Sequence, residues 1–207
     1  MSLKDRAWFP IVYMFGITLL LSTILIIFGT LTRKRVKENE TVAFERAVLE
    51  ALPIDLPAAV TPNQIHSIYV SDIREANDSS AGALRYVKED TLKGFALPLE
   101  GPGFWAPIKG VIGIEPDGLT ITGIAFYEQN ETPGLGGEIT KSTFRDQFKG
   151  KKIAETETPL QIRNPSEALD GSSVHAITGA TQTSNRLAAF LNAYLLEWRK
   201  QRMDRKW

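Results

Sequence analysis

Residues 107–128 read PIKGVIGIEPDGLTITGIAFYE. Two runs of apolar and β-branched residues, 107–115 and 119–128, flank Pro116-Asp117-Gly118. Proline presets φ and glycine supplies φ > 0, so the tripeptide is a turn with a mechanism. The stretch predicts a β-hairpin, and strands joined this way belong to an antiparallel sheet. Upstream, IHSIYV (65–70), LRYVK (84–88) and GFALPL (94–99) also read as strands. No regular strand–helix–strand alternation appears, which disfavours a parallel sheet. Downstream, 129–139 is loop-like, 142–149 a short helix, and 155–173 mostly irregular with a helical turn at 164–169. The chain closes on a strong amphipathic helix. Leu187, Phe190, Leu191, Tyr194, Leu195 and Trp198 follow the i, i+3, i+4, i+7 rule. Thr183, Ser184 or Asn185 is expected to cap it. Arg199, Lys200, Arg202, Arg205 and Lys206 crowd its C-terminal end, read as a solvated helix terminus, with anionic lipid or a partner as the sharper alternative.

The front of the chain is different. Residues 7–32, AWFPIVYMFGITLLLSTILIIFGTLT, carry no charge and exceed the roughly 20 apolar residues of one bilayer span. Trp8 and Tyr13 are interfacial anchors in this reading. The run is too long for a secretory signal and lacks an Ala-x-Ala site. Being apolar on every face, it suits lipid better than a small core. Arg33, Lys34, Arg35 and Lys37 follow it, against Lys4, Arg6 and the terminal amine before it, a bias that points the C-terminal part to the cytoplasm. Residues 38–52 then read as an amphipathic helix with Phe44, Ala47, Val48 and Ala51 on one face, ended by Pro53, and able to continue from the span. Three prolines mark 53–63 as a linker. The expected class is α+β: an anchor (1–32), a helix and linker (33–63), and a domain (64–207) with an antiparallel sheet, flanking helices and the terminal helix.

Composition narrows the function. In 207 residues, 24 Lys+Arg balance 24 Asp+Glu, which argues against a nucleic-acid partner. Cysteine is absent, which removes disulfides, thiolate-held iron–sulfur clusters, c-type haem attachment and a Cys nucleophile. Two histidines, His66 and His175, exclude a His-rich metal site.

Two motifs remain. ITGATQTSN (177–185) places small residues and four hydroxyls, those of Thr178, Thr181, Thr183 and Ser184, at a helix N-terminus. The unpaired first-turn amides make this an anion seat or simply a hydroxyl-rich cap. ETPGLGGE (131–138) is glycine-rich, but Ile139 occupies the last glycine position of a dinucleotide fingerprint and no Walker lysine follows. It is either a loop folded around a flat ligand or an ordinary surface loop.

Together the two motifs resemble the signatures of the FMN-binding domain family. That family includes the NqrC component of the sodium-translocating NADH:quinone reductase and the RnfG component of the Rnf electron transport complex. Its S/T-G-A-T-x-T/S motif matches Thr178-Gly179-Ala180-Thr181-Gln182-Thr183, and its E-T-P-G-L-G motif matches Glu131 to Gly136. GPGFW (101–105) and AFYEQN (125–130) are nearer the NqrC branch, and the short length nearer the RnfG branch. The resemblance implies FMN joined to Thr181 as a phosphodiester, transferred from FAD by an external flavin transferase. It implies cofactor contacts by Thr178, Gly179, Ala180, Thr183, Ser184, Glu131, Thr132, Leu135, Gly136 and Trp105. Trp105 and Leu135 read equally well as plain core residues. His175 stands where the family usually has Asp, either as a structural residue or as a partner of the phosphate. The implied role is an electron carrier with no NADH site of its own, in an Rnf- or NADH:quinone reductase-type complex. Its partners would be the other membrane subunits and the lipid bilayer. The implied location is the bacterial inner membrane with the flavin domain on the periplasmic face, and a chain-wide match outweighs a few charges. The alternative is a stand-alone anchored module that binds flavin or another anion.

Overall fold

The computed structural model describes residues 8–57, 59–77, 80 and 82–204, with Asp204 as backbone only. Lys4 and Arg6, ahead of the apolar run, and Arg205 and Lys206 of the basic end lie outside the described residues. The chain divides into two compact units, one up to Thr41 and one from Val42 onward.

Helix α1 (Phe9–Ala51) is unbroken through both the apolar run and the amphipathic stretch. Its apolar part is long and apolar enough to cross a bilayer, and none of it is buried. In the second unit Ala47, Val48 and Ala51 are buried as expected, joined by Leu49 and by a charged residue, Glu45.

The sheet is a five-stranded antiparallel meander: β1 (Ile73–Arg74), β2 (Leu84–Lys88), β3 (Thr91–Pro102), β4 (Pro107–Ile114) and β5 (Ile121–Glu128). The hairpin at its edge is the one expected. Glu115 N–H donates to Thr120 O across the turn, and Gly118 adopts φ +66°. Asp117 Oδ1 accepts from the N–H groups of Leu119 and Thr120, each at 2.8 Å.

Strand alternation then divides the core in two. Phe95, Leu97, Leu99, Ile108, Ile112 and Ile114 face Leu187, Phe190, Leu191, Leu195 and Trp198 of α4 (Thr181–Asp204). Ala96, Val111 and Ala125, on the opposite face, meet Ala47, Val48, Ala51 and Leu52. Where the end of α1 lies almost on the sheet, this face is built of small residues. A Cβ at Gly113 would overlap the Ala51 carbonyl oxygen. Thr122 Oγ1 donates to that same oxygen at 2.6 Å, satisfying a terminal helix acceptor.

Two expectations need correction. IHSIYV is not a strand but the body of α2 (Pro62–Asp72). Ile65, Ile68 and Tyr69, spaced i, i+3, i+4, are the residues that pack on the second core. Thr61 and Gln64 form a capping box, with Pro62 at the start of the helix. The terminal helix begins at Thr181, ahead of all three expected caps. Two of their hydroxyls serve tertiary contacts instead: Ser184 Oγ accepts from Ile177 N–H, and Thr183 Oγ1 donates to Glu131.

The region 142–175 follows expectation in part. α3 (Ser142–Arg145) leads into a 3-10 turn at Asp146–Phe148. A turn closes from Glu167 N–H to Asn164 O. Unexpectedly, β6 (Gln161–Arg163) pairs in parallel with β7 (Ser173–His175). At the end of α4, Arg199 is not merely solvated; it donates to the carbonyls of Ala154 and Thr156.

Candidate functional site

Three segments converge on the N-terminus of α4: the loop between β3 and β4, the loop after β5, and the turn after β7. Thr181 is the first residue of the helix, and its side chain is exposed. Gly179 precedes it at φ +79°, a left-handed turn that glycine adopts without strain. The Leu135 Cδ2 lies only 3.0 Å from where a Cβ on Gly179 would stand, so the two motifs touch. The first three amides of α4 have no partner within the helix and carry the positive end of its dipole.

Thr181 and Gly179 lie on a ridge between two clefts. The first, about 380 Å³, is lined by Phe104, Trp105, Glu131, Thr132 and Leu135 on one side and 179–183 on the other. The second, about 590 Å³, is walled by Ile162, Asn164, Pro165, Ser166, Ile177, Thr178, Ser184 and Asn185. Both volumes fall within the roughly 300–1,000 Å³ of small-molecule sites.

Neither Trp105 nor Leu135 is a core residue: they are 68% and 42% exposed at the mouth of the first cleft. The Trp105 indole Nε1–H donates to Thr132 Oγ1 at 3.2 Å. Its ring meets Phe104 edge-on, with centroids 4.9 Å apart. Arg186 covers the Phe104 ring and donates to Gly103 O. These contacts fix two exposed aromatic rings at the mouth of the first cleft.

Glu131 behaves differently from its neighbours. It is 5% exposed. Its Oε1 accepts from Phe104 N–H (2.7 Å) and Trp105 N–H (3.2 Å), and its Oε2 accepts from Thr183 Oγ1 (2.5 Å). Gly136 and Ala180 provide close packing at the same junction, and Thr178 lines the second cleft.

His175 lines neither cleft. Its Nε2 lies 3.0 Å from Glu167 O, so this nitrogen carries the proton and donates to the carbonyl. Its backbone N–H donates to Gln147 Oε1. The residue therefore braces the 164–169 wall of the second cleft. Arg163 and Asp170 brace the same wall at 2.5 Å. Hydrogen bonds from Ser172 N–H and from Ser173 hold the Asp170 carboxyl below the ordinary carboxylate value. Sequence reasoning missed Phe104, Gln182 and the wall at Asn164 and Ser166. Phe104 was findable, as the neighbour of Trp105 in the same motif. The wall was not, because it depends on the pairing of two three-residue strands.

A family model described as an FMN-binding domain matches residues 103–195. This part of the chain is similar to the FMN-binding domain family. The match runs from the start of the Trp105 loop to the middle of α4, and so takes in all three segments of the site. The NqrC component of the Na(+)-translocating NADH-quinone reductase of Pasteurella multocida (strain Pm70) is 42% identical over 91 residues, 43% of this chain and 35% of that protein. Its Vibrio alginolyticus counterpart is 37% identical over 131 residues, 61% of this chain and 49% of that protein. The chain thus spans about half, or less, of the length of these curated relatives. A crystal structure of the corresponding protein from Parabacteroides distasonis ATCC 8503 superposes with a TM-score of 0.69 at 26% identity, covering 82% of this chain and 96% of that one. Shewanella oneidensis NqrC, at 19% identity and a TM-score of 0.66, with 81% of this chain and 99% of that one covered, shares the fold.

Proposed function

We propose that this chain is a membrane-anchored electron-transfer component of a sodium-translocating NADH:quinone reductase-type complex, carrying FMN as a phosphodiester on Thr181. The observation that carries the reading is the placement of Thr181: an exposed hydroxyl at the first position of a long helix, between two clefts of ligand size. The residues present fit the group. Trp105 and Leu135 offer apolar surface to a planar ring, and the helix amides offer hydrogen bonds to a diester anion.

In maturation the Thr181 oxygen would displace AMP from the FMN-side phosphorus of FAD, its proton passing to a base on the flavin transferase. Thereafter Thr181 is a tether. The bound flavin supplies one- and two-electron transfer. The first-turn amides of α4 hold the phosphate charge, Trp105 and Leu135 shield the ring from water, and Thr132 fixes the indole. Among the described residues, the only titratable one lining the first cleft is Glu131, and its oxygens are occupied by the loops and by Thr183. Thr178, Gly179, Ala180, Thr183, Ser184 and Gly136 shape the backbone around the tether. The partners in this reading are the other membrane subunits, the bilayer through α1, and the transferase; the domain faces the periplasm.

The test is an intact-mass measurement of the full chain co-expressed with its flavin transferase. The expected mass exceeds that of the polypeptide by FMN less one water, and the denatured band keeps flavin fluorescence. Thr181→Ala loses both. Colour lost on denaturation would instead indicate the stand-alone, non-covalent module, and an unmodified, colourless chain would overturn both readings.

A further inference from the structure

We infer that Glu131 is a positioning residue: its buried carboxylate locks the Trp105 platform to the helix that bears Thr181, without itself touching the bound ring. The inference rests on the flavin reading for the ring but on this structure alone for the lock.

The carboxylate ties the ETPGLG loop, where it sits, to both of the other parts. One oxygen holds the backbone at Phe104 and Trp105, and the other holds Thr183 in the first turn of α4. The Glu131 N–H is fixed by Gln129 Oε1 at 2.6 Å. Ionised, a carboxylate is purely an acceptor, and here each of its partners is a donor. The surrounding backbone is fitted to it. A Cβ at Gly103 would stand 2.6 Å from Glu131 Oε1, and one at Gly136 would stand 2.7 Å from Oε2. So Gly103 of GPGFW and Gly136 of ETPGLG make room for this carboxylate. It borders the first cleft, but at 5% exposure, with both oxygens already engaged by the loop and by Thr183. Arg186, also on α4, donates to Gly103 O and is a second tie from this loop to the helix, but it holds Gly103 and not the backbone at Trp105 or the ETPGLG loop. The indole, by contrast, is exposed, and its N–H bonds the residue next to Glu131. Its orientation therefore follows the backbone that Glu131 holds.

The chemistry separates the variants. In Glu131→Gln the amide oxygen can still accept from the two N–H groups, and the amide nitrogen can donate to the Thr183 hydroxyl. Glu131→Ala leaves three donors without an acceptor, and Thr183→Val cuts only the carboxylate's own link to α4, leaving the Arg186 tie in place. The first readout is the Trp105 indole N–H resonance of the full chain in detergent, assigned with Trp105→Phe among the four tryptophans. It needs no flavin. Expected is a wild-type position in Glu131→Gln and a shift to the free-indole position in Glu131→Ala. The second readout, on the flavinylated chain, is flavin emission, which a stacked indole quenches. Expected is a severalfold rise in Trp105→Leu, a comparable rise in Glu131→Ala and Thr183→Val, and no further rise in the Glu131→Ala/Trp105→Leu double variant. If Glu131→Ala fails to fold, Thr183→Val decides by the same emission test. An unmoved indole resonance in Glu131→Ala, or rises that add in the double variant, overturns the assignment. A loss of the lock in Glu131→Gln equal to that in Glu131→Ala also overturns it. Absence of covalent FMN in the wild type removes the flavin reading but leaves the indole test standing.

Discussion

A threonine hydroxyl in water is a poor nucleophile, and what distinguishes Thr181 is where it stands. Because it is exposed, Thr181→Ala should change stability by no more than about 0.5 kcal/mol, so loss of flavin in that variant can be separated from unfolding by comparing thermal midpoints. Asp117 is the contrasting case, a residue whose work is structural. Partial burial pushes its carboxyl up. Hydrogen bonds from the Thr120 hydroxyl and from the Leu119 and Thr120 amides, with the charge of Lys152, outweigh this and hold it at about 2, against an ordinary value of 3.8. A depressed folded value means that the contribution is full above the ordinary value and fades as pH falls through about 2. The expected outcome is a wild-type midpoint above that of Asp117→Asn at neutral pH, with the gap closing between about pH 4 and about pH 2. A gap independent of pH would assign the turn's stability to hydrogen-bond geometry alone.

At the scale of elements, the sheet can carry helices on both faces because its two faces differ in side-chain size. Phe95, Leu97 and Leu99 alternate with Gly94, Ala96 and Pro98 along β3. Gly113→Ala is therefore expected to destabilise by about 1–3 kcal/mol, the usual cost of overpacking. On the other face Trp198 is 2% exposed, donates to Gly118 O at 3.0 Å and packs edge-on against Phe95. Trp198→Ala should cost about 3–5 kcal/mol, measured as a shift in the denaturant midpoint. These elements were unequally legible. The 107–128 hairpin, β2 and the terminal helix could be read from periodicity and turn chemistry, since each pattern is local and long enough to be unambiguous. IHSIYV could not, because six residues of mixed apolar character satisfy both periods. The deciding signal was the cap, Thr61-Pro62-x-Gln64, lying in what read as linker. The β6–β7 pair had no local signal at all, since three-residue strands are defined by their partners.

For the whole molecule, the unit up to Thr41 presents Ile11, Phe15, Leu20, Leu25, Phe28 and Leu31 to its surroundings, a surface stable only in lipid or detergent. The full chain is expected to stay with membranes through an alkaline wash, and a chain beginning at Val42 to appear in the supernatant. Protease added outside intact spheroplasts should digest the domain if it faces the periplasm, as proposed. Complete protection would restore the inward orientation that the charge bias favours.

By itself the sequence determined the local facts: an uncharged run long enough to span a bilayer, a hairpin with its turn, an amphipathic closing helix, and two motifs with a family resemblance. Each of these is settled by neighbours within a few turns of chain, where periodicity and φ preferences act. Only the tertiary structure decided that the closing helix begins at Thr181, that Trp105 and Leu135 stand at a cleft mouth, and that Glu131 faces inward. Those outcomes depend on which donors and acceptors, 26 to 52 residues apart, are left to satisfy one another when water is excluded.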